Sequence, residues 1–222
     1  MINKTIQVLA ILLLAVFFSA CHHTDKQYYD DGTLKSEIVT KSGKKDGIAK
    51  YYHANGKLQQ ETNFQNDIHE GLSRRWFFNG RQELEENYKN GLKTGRAVAY
   101  NKYGKKIWEA HFQNDTLNGP WQEFHGNGNP KVIGYYKKGL YEKTWRYFDE
   151  DNQMIGEGKF DQGTGFQHAY YPNGKKWRLI FYRQNKKDGT ERWWYPDGKL
   201  QKEKIYKNDS LLSVRDYQNT AQ

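Results

Sequence analysis

The chain has 222 residues, of which 36% are hydrophobic and 16% aromatic, with a formal net charge of +9 and one cysteine. Aliphatic residues are too few for a thick globular core, and a lone cysteine excludes an intramolecular disulfide. No His-Glu-x-x-His, Cys-x-x-Cys, EF-hand, Walker or Gly-x-Ser-x-Gly spacing occurs, so the sequence gives no sign of a cofactor, a metal or an enzyme.

Residues 1–20 read as a lipoprotein signal peptide. Lys4 supplies a positive start, Ile6 to Phe18 is an apolar run broken only by Gln7, and Ser19-Ala20 precede Cys21. A spanning helix needs about 20 apolar residues, so the run is too short to cross a bilayer and matches a secretory signal. Phe18-Ser19-Ala20-Cys21 resembles the lipobox of bacterial lipoproteins. The resemblance implies cleavage before Cys21, diacylation of its sulfur and a lipid-anchored protein of the bacterial envelope, with outer-membrane sorting favoured by His22. The alternative is an ordinary signal with a chance cysteine. Residues 21–27 form the lipidated N-terminus and a short tether. Loss of residues 1–20 removes one Lys and leaves 34 bases against 26 acids, +8.

From Tyr28 to Asp209 the chain repeats. Aligned on Gly32, Gly56, Gly80, Gly104, Gly128, Asn152, Gly174 and Gly198, the copies are spaced by 24 residues, except for 22 between Asn152 and Gly174. A fixed period in this range marks a repeat architecture. Four residues before each anchor stands an aromatic, from Tyr28 and Tyr52 to Tyr170 and Trp194. Eight residues after it come Phe64, Tyr88, Phe112, Tyr136, Phe160, Tyr182 and Tyr206; only the first copy departs, with Thr40. Asp-Gly or Asn-Gly at the anchor suits a two-residue type I′ hairpin turn, and aromatic flanks suit strands. Each copy is therefore expected as strand, turn and strand.

That register places Phe64 across from Gly47, Tyr88 from Gly71, Phe112 from Gly95, Tyr136 from Gly119, Tyr182 from Gly165 and Tyr206 from Gly189, an aromatic covering each strand glycine. It also sets Glu37 against Lys26, Glu61 against Lys50, Glu85 against Arg74, Glu157 against Arg146 and Glu203 against Arg192. Glu109 alone faces an apolar residue, Val98. Facing opposite charges contribute roughly 0.2–1 kcal/mol each. The two residues missing from the short copy fall between Phe160 and Gly165, in the turn that links hairpins.

The expected fold is all-β: an elongated, single-layer antiparallel β-meander of eight hairpins, with about 16 strands and a length on the order of 75 Å. Residues 210–222 form a C-terminal cap or tail. The pattern Tyr-Tyr-x-x-Asn-Gly-Lys-Leu-x-x-Glu-x-x-Phe at 51–64, followed by Gly71, resembles the bacterial MORN-variant repeat. That repeat is found in exported repeat lipoproteins and in proteins catalogued as YwqK-type antitoxins. The copies around Gly128 and Asn152 drift from it. The resemblance implies a repeat scaffold, with lipid contact or an antitoxin-like role as alternatives.

Candidate chemistry is sparse. The glutamates recur with their bases, as a structural ladder does. His22-His23 has no third ligand, and His53 and His125 share a repeat phase too far apart for one ion. Trp121, Trp145, Trp177, Trp193, Trp194 and Tyr195 crowd the later copies; they either complete the aromatic stripe or form a contact surface for a peptide or sugar. The charge admits anionic lipid, glycan or acidic protein partners, or a merely solvated sheet surface. Nucleic acid is excluded by export and the lack of any recognition motif. The reading is a non-catalytic, membrane-anchored scaffold that binds another protein of the cell envelope.

Overall fold

A computed structural model describes residues 22–217, so Cys21 and the signal segment lie outside the described residues. Eighteen strand segments run from His23–Tyr28 to Ser210–Asp216, with no helix among the described residues. Each pairs antiparallel with its neighbours in sequence, as in Leu58–Gln65 between Lys44–Tyr52 and Ile68–Trp76. Leu92–Lys93 and Gly95–Tyr100 both pair with Gln82–Lys89 and form one strand interrupted at Thr94. The ribbon thus has one strand more than the eight hairpins supply. Ser210–Asp216, expected within the tail, pairs with Leu200–Lys207. At the other end, His23 to Gln27 of the expected tether belong to the first strand.

The register is the expected one. Phe64 faces Gly47, Tyr88 Gly71, Phe112 Gly95, Tyr136 Gly119, Tyr182 Gly165 and Tyr206 Gly189. The turn chemistry differs. At the anchor, His53 N–H bonds the Lys57 carbonyl and Gly56 N–H the His53 carbonyl, enclosing three loop residues. Only Gly56 has positive φ, at 77°. This is a type I turn closed by a left-handed glycine. The Asn55 carboxamide instead accepts from Lys57 N–H and donates to the Phe78 carbonyl of the next copy. A one-residue bulge at Gln59 restores the count, which is why a two-residue turn predicts the correct pairing.

The type I′ turns lie at the opposite edge, where the chain passes between hairpins. Asn66-Asp67, Asn90-Gly91 and Asn114-Asp115 have positive φ at both residues. Behind most of these turns three residues oppose one, as Glu70, Gly71 and Leu72 oppose Asn63. The glycines Gly47, Gly71, Gly95, Gly119 and Gly189 sit here with φ from 68° to 136°. Positive φ, more than aromatic cover, therefore requires them. Lys143 holds the equivalent place with φ 63°.

Alternation gives the sheet two faces. The charged face carries the glutamate column. Ion pairs form at Lys26–Glu37 (3.2 Å), Arg74–Glu85 (3.0 Å) and Arg192–Glu203 (2.7 Å). Lys50 and Arg146 face Glu61 and Glu157 in register without closing an ion pair. Glu109, opposite Val98, is held by both forks of Arg96 and by Lys106 at 2.9 Å. These contacts, the Arg96 hydrogen bonds first, lower its pKa to about 2.

The packed face carries the core. Ala49, Thr62, Ala97 and Ala110 are buried in one row across the early strands. Beside them runs the aromatic column, interleaved with the residues thirteen after each anchor. His69 meets Phe64 and Tyr88 edge-on, Lys45 lies over Phe64 and Lys93 over Phe112. In the later strands the core thickens around Val132, Trp145 and Phe160, against which Trp121, Tyr136 and Tyr182 pack. Burial of this kind, repeated between neighbours, is how a ribbon without a central core holds together.

Candidate functional site

The short copy breaks the regularity. Between Met154–Asp161 and Thr164–Tyr170 the pairing runs without a shift, from Asp161↔Thr164 to Gly156↔Ala169. The Gln162-Gly163 turn is as tight as the others, with φ of 48° and 73°. The missing residues therefore belong to the bulge behind the turn and not to the turn itself. Gly165 is extended here, and a Cβ on it would lie 1.9 Å from the Lys159 carbonyl oxygen.

Without the bulge this turn ends short of its neighbours, and they close over it. Elsewhere a turn side chain bonds the adjacent turn, as Asp67 Oδ1 accepts from Lys45 N–H. Asn185 reaches past the short turn: its Oδ1 accepts from Tyr141 N–H at 2.7 Å, and its Nδ2 donates to the Gly139 carbonyl at 2.9 Å. The Tyr141 and Tyr182 rings sit 6.3 Å apart. Three strand steps on a flat sheet would separate them by about 14 Å.

At the other end of the same strands, near the anchor turns, the packed face opens. One row across six strands reads Tyr147, Gly156, Ala169, Arg178, Trp193 and Lys202. Gly156 and Ala169 leave a gap between Tyr147 and Arg178. A cavity of about 160 Å³ fills it, floored by Gln167 and Ile180 and bordered by Ile155 and Trp177. Ile155 also lines a larger hollow of about 390 Å³, with Met154, Tyr171 and Pro172, that opens at the turn edge. Ile155 and Trp177 are each 41% exposed. Both are bulge residues three positions after an anchor, where Lys35, Gln59, Glu83, Lys131 and Gln201 stand in other copies and only Ile107, 43% exposed, is likewise apolar.

Beyond Arg178 the row becomes cationic. Glu191, 1% exposed, is ion-paired to Arg178 and, at 3.1 Å, to Lys187. Such a buried carboxylate is tolerable only with its charge matched. Trp193 lies between Arg178 and Lys204, each 5.2 Å from its ring. The partly buried phenols on these strands stay protonated: burial pushes Tyr147, which lines the gap, upwards and Tyr182, at the other end of the strands, to about 12.

The six aromatic candidates separate accordingly. Trp145, 4% exposed, belongs to the core. Trp121 stacks on Trp108 at 5.9 Å within the stripe. Trp177 borders the gap and Trp193 stands in the cationic row. Trp194 borders a separate hollow with Lys175 and Lys176. Tyr195 donates to the Tyr217 carbonyl at 3.4 Å. The paired histidines have structural work: His53 Nε2 bonds the Trp76 carbonyl and His125 Nε2 the Phe148 carbonyl. No group of three or more metal-ligating side chains forms among the described residues. Sequence reasoning missed Ile155, Gly156, Ala169 and Arg178. The available signal was the 22-residue spacing together with apolar residues in a column polar in most copies.

The MORN repeat variant family matches the chain at residues 26–42, 45–66, 117–138 and 187–208. The matches support a MORN-repeat protein. The first runs from within the opening strand to the Ser42-Gly43 turn, the other three each cover most of one hairpin from one type I′ turn to the next, and the copy around Gly128 is among them. MORN repeats are generally protein- or lipid-binding, and proteins built from them are typically non-catalytic binding scaffolds. No curated protein matches the chain. The gap between Tyr147 and Arg178 falls largely in the span between the third and fourth MORN matches.

Proposed function

We propose that the chain is a non-catalytic MORN-type scaffold, tethered to a bacterial envelope membrane through lipid on Cys21, that presents its packed face to another envelope protein. The observation that supports the partner site is the coincidence of three irregularities: the lost bulge, the side-chain gap at Gly156 and Ala169, and the exposed Ile155 and Trp177. Five of the other six copies carry a polar residue at this bulge, as at Gln59 and Glu83, and only Ile107 is apolar. Exposed aromatics beside a pocket are the usual anchors of a protein interface.

A photocrosslinking residue placed at Trp177, and at Gln59 as control, tests this in native envelopes. The expected result is a discrete crosslinked protein from position 177 and none from 59. Equal or absent crosslinking overturns the partner site. The Cys21→Ser variant tests the tether: it is expected to leave the membrane fraction, and retention there by intact envelopes overturns lipid anchoring.

A further inference from the structure

The scaffold reading leaves the chemistry of the partner open, and the distribution of charge narrows it. Residues 171–217 hold twelve bases against six acids, a net +6, whereas residues 22–170 hold 22 against 20, a net +2. Three quarters of the charge of the chain beyond Cys21 therefore lies in the last quarter of the ribbon, at the end away from the first strand. Pairing does not cancel it. Lys175, Lys176, Lys186 and Lys204 form no ion pair among the described residues, while Glu191, the one fully buried acid there, is already held by Arg178 and Lys187.

The gap and the charge meet on one face. From the gap between Tyr147 and Arg178, the same cross-strand row continues through Trp193 to Lys202, with Lys204 beside it over the Trp193 ring. Two strand steps without a side chain beyond methyl leave a recess about 10 Å wide, walled by Tyr147 and bordered by Ile155 and Trp177. Such a recess takes one large apolar side chain. The lysines next to it favour carboxylates, whose attraction to the end of the ribbon also speeds encounter.

Resting on the scaffold reading, we propose that this end of the packed face binds an acidic segment of the partner protein. A large apolar residue of that segment enters the recess at Gly156 and Ala169, and its flanking carboxylates lie along Lys202 and Lys204. Lys202 is now within 3.0 Å of Asp216, an exposed carboxylate of the last strand, which shows that a carboxylate fits that position.

The test uses the full chain and a short fluorescein-labelled peptide of Glu and Ser with one central Phe. Controls replace Phe by Ser, or every Glu by Lys, and vesicles of phosphatidylglycerol form a separate arm. The expected result is binding of the Glu/Phe peptide alone among the peptides, weakening as salt rises. The Lys202→Glu/Lys204→Glu variant is expected to lose more than about tenfold in affinity, and Ala169→Leu, which fills the recess, to lose a similar factor. Lys202 and Lys204 are half-buried opposite Asp216 and Glu191, so a Lys202→Gln/Lys204→Gln variant, which sets no acid beside those carboxylates and is expected to weaken binding in the same direction, keeps the proposal testable should either other variant fail to fold. Equal binding of the Lys peptide, full affinity in the charge variants, or lysine-dependent binding to vesicles without peptide binding overturns the proposal. If no peptide binds while crosslinking from position 177 persists, the acidic class is wrong and the scaffold reading stands; if that crosslinking also fails, both fall.

Discussion

Replacing Glu109 by Gln tests whether the charged face stabilises the ribbon through its geometry or merely decorates it. Glu109 is the one column glutamate with no base directly across, and the structure supplies Arg96 and Lys106 instead. Its pKa is lowered from 4.5 to about 2, first by the Arg96 hydrogen bonds. A depression of that size corresponds to at most about 3 kcal/mol at neutral pH. Arg96 and Lys106 are 42% and 41% exposed, so solvent screening reduces the expected loss to about 1–2 kcal/mol. The folded-state pKa is depressed, so this stability is fully present above about pH 4.5 and is lost as pH falls through 2. Urea unfolding of the wild type and Glu109→Gln should therefore show a difference at pH 7 that narrows below pH 4.5 and closes near pH 2. Glu37→Gln, which breaks the pair with exposed Lys26 and leaves the long 3.5 Å Tyr52 hydroxyl bond an amide acceptor, should cost less than about 1 kcal/mol. A Glu109 difference that stays constant with pH, or one no larger than that of Glu37, refutes the reasoning.

The packing and turn arguments give three further expectations. Phe160→Ala removes a ring buried in the late core and should cost about 3–5 kcal/mol, whereas Phe181→Ala, on the other face and 38% exposed, should cost well below half of that in the same thermal or urea assay. Asn185→Ala leaves the Tyr141 N–H and Gly139 carbonyl without their partners and should lose about 2–3 kcal/mol, more than Asp67→Ala, which frees only the Lys45 N–H. Asn152 replaces an anchor glycine at φ 61°, so Asn152→Gly should leave the melting temperature close to wild type, while Asn152→Val should lose about 1–2 kcal/mol because a β-branched residue resists left-handed backbone.

The fold was legible because the repeat states its own register many times. Phe64 against Gly47 and Glu61 against Lys50 depend only on counting, and counting survives a wrong turn type because the Gln59 bulge adds back the residue that the anchor loop removes. The turn types were not legible in the same way. Asn-Gly fits either a type I′ turn or a type I turn closed by glycine; Asp31-Gly32 and Asp197-Gly198 adopt the second as well, each carboxylate accepting from the N–H two residues on, and the Asn55 carboxamide adds to that bond the Phe78 carbonyl of the next copy. That partner is a neighbour in space and 23 residues away in sequence. Residues 210–222 read as a cap or tail outside the repeats, and within them Leu211 and Val214 pair against Tyr206 and Lys204 as any repeat strand would. The site was half legible: Trp177 and Trp193 were singled out for being aromatic, but Gly156 and Ala169 matter for side chains they lack, and an absence of bulk has meaning only once the row that contains it is known.

The short copy shows why a break in such a ribbon is both costly and useful. In a sheet held only by neighbouring hairpins, two lost residues cannot be absorbed by a distant core. At the type I′ edge the loss is answered by Asn185 and Tyr141, which bridge across the shortened turn. At the anchor edge no such bridge forms among the described residues, and the same strands instead carry Gly156, Gly158 and Ala169. A Cβ at Gly156 would meet the His168 carbonyl oxygen at 2.5 Å, and one at Gly158 the Phe160 ring at 2.5 Å. The close approach of the paired strand thus demands glycine at 156, and with Ala169 beside it the row keeps the recess. The site is then a consequence of how the ribbon accommodates its one irregular repeat. Restoring two residues between Gly165 and Gln167 should rebuild the bulge opposite Lys159, displace Asn185 from Tyr141, and abolish crosslinking from Trp177 together with the recess. Crosslinking that survives such an insertion would separate the site from the irregularity to which it is traced here.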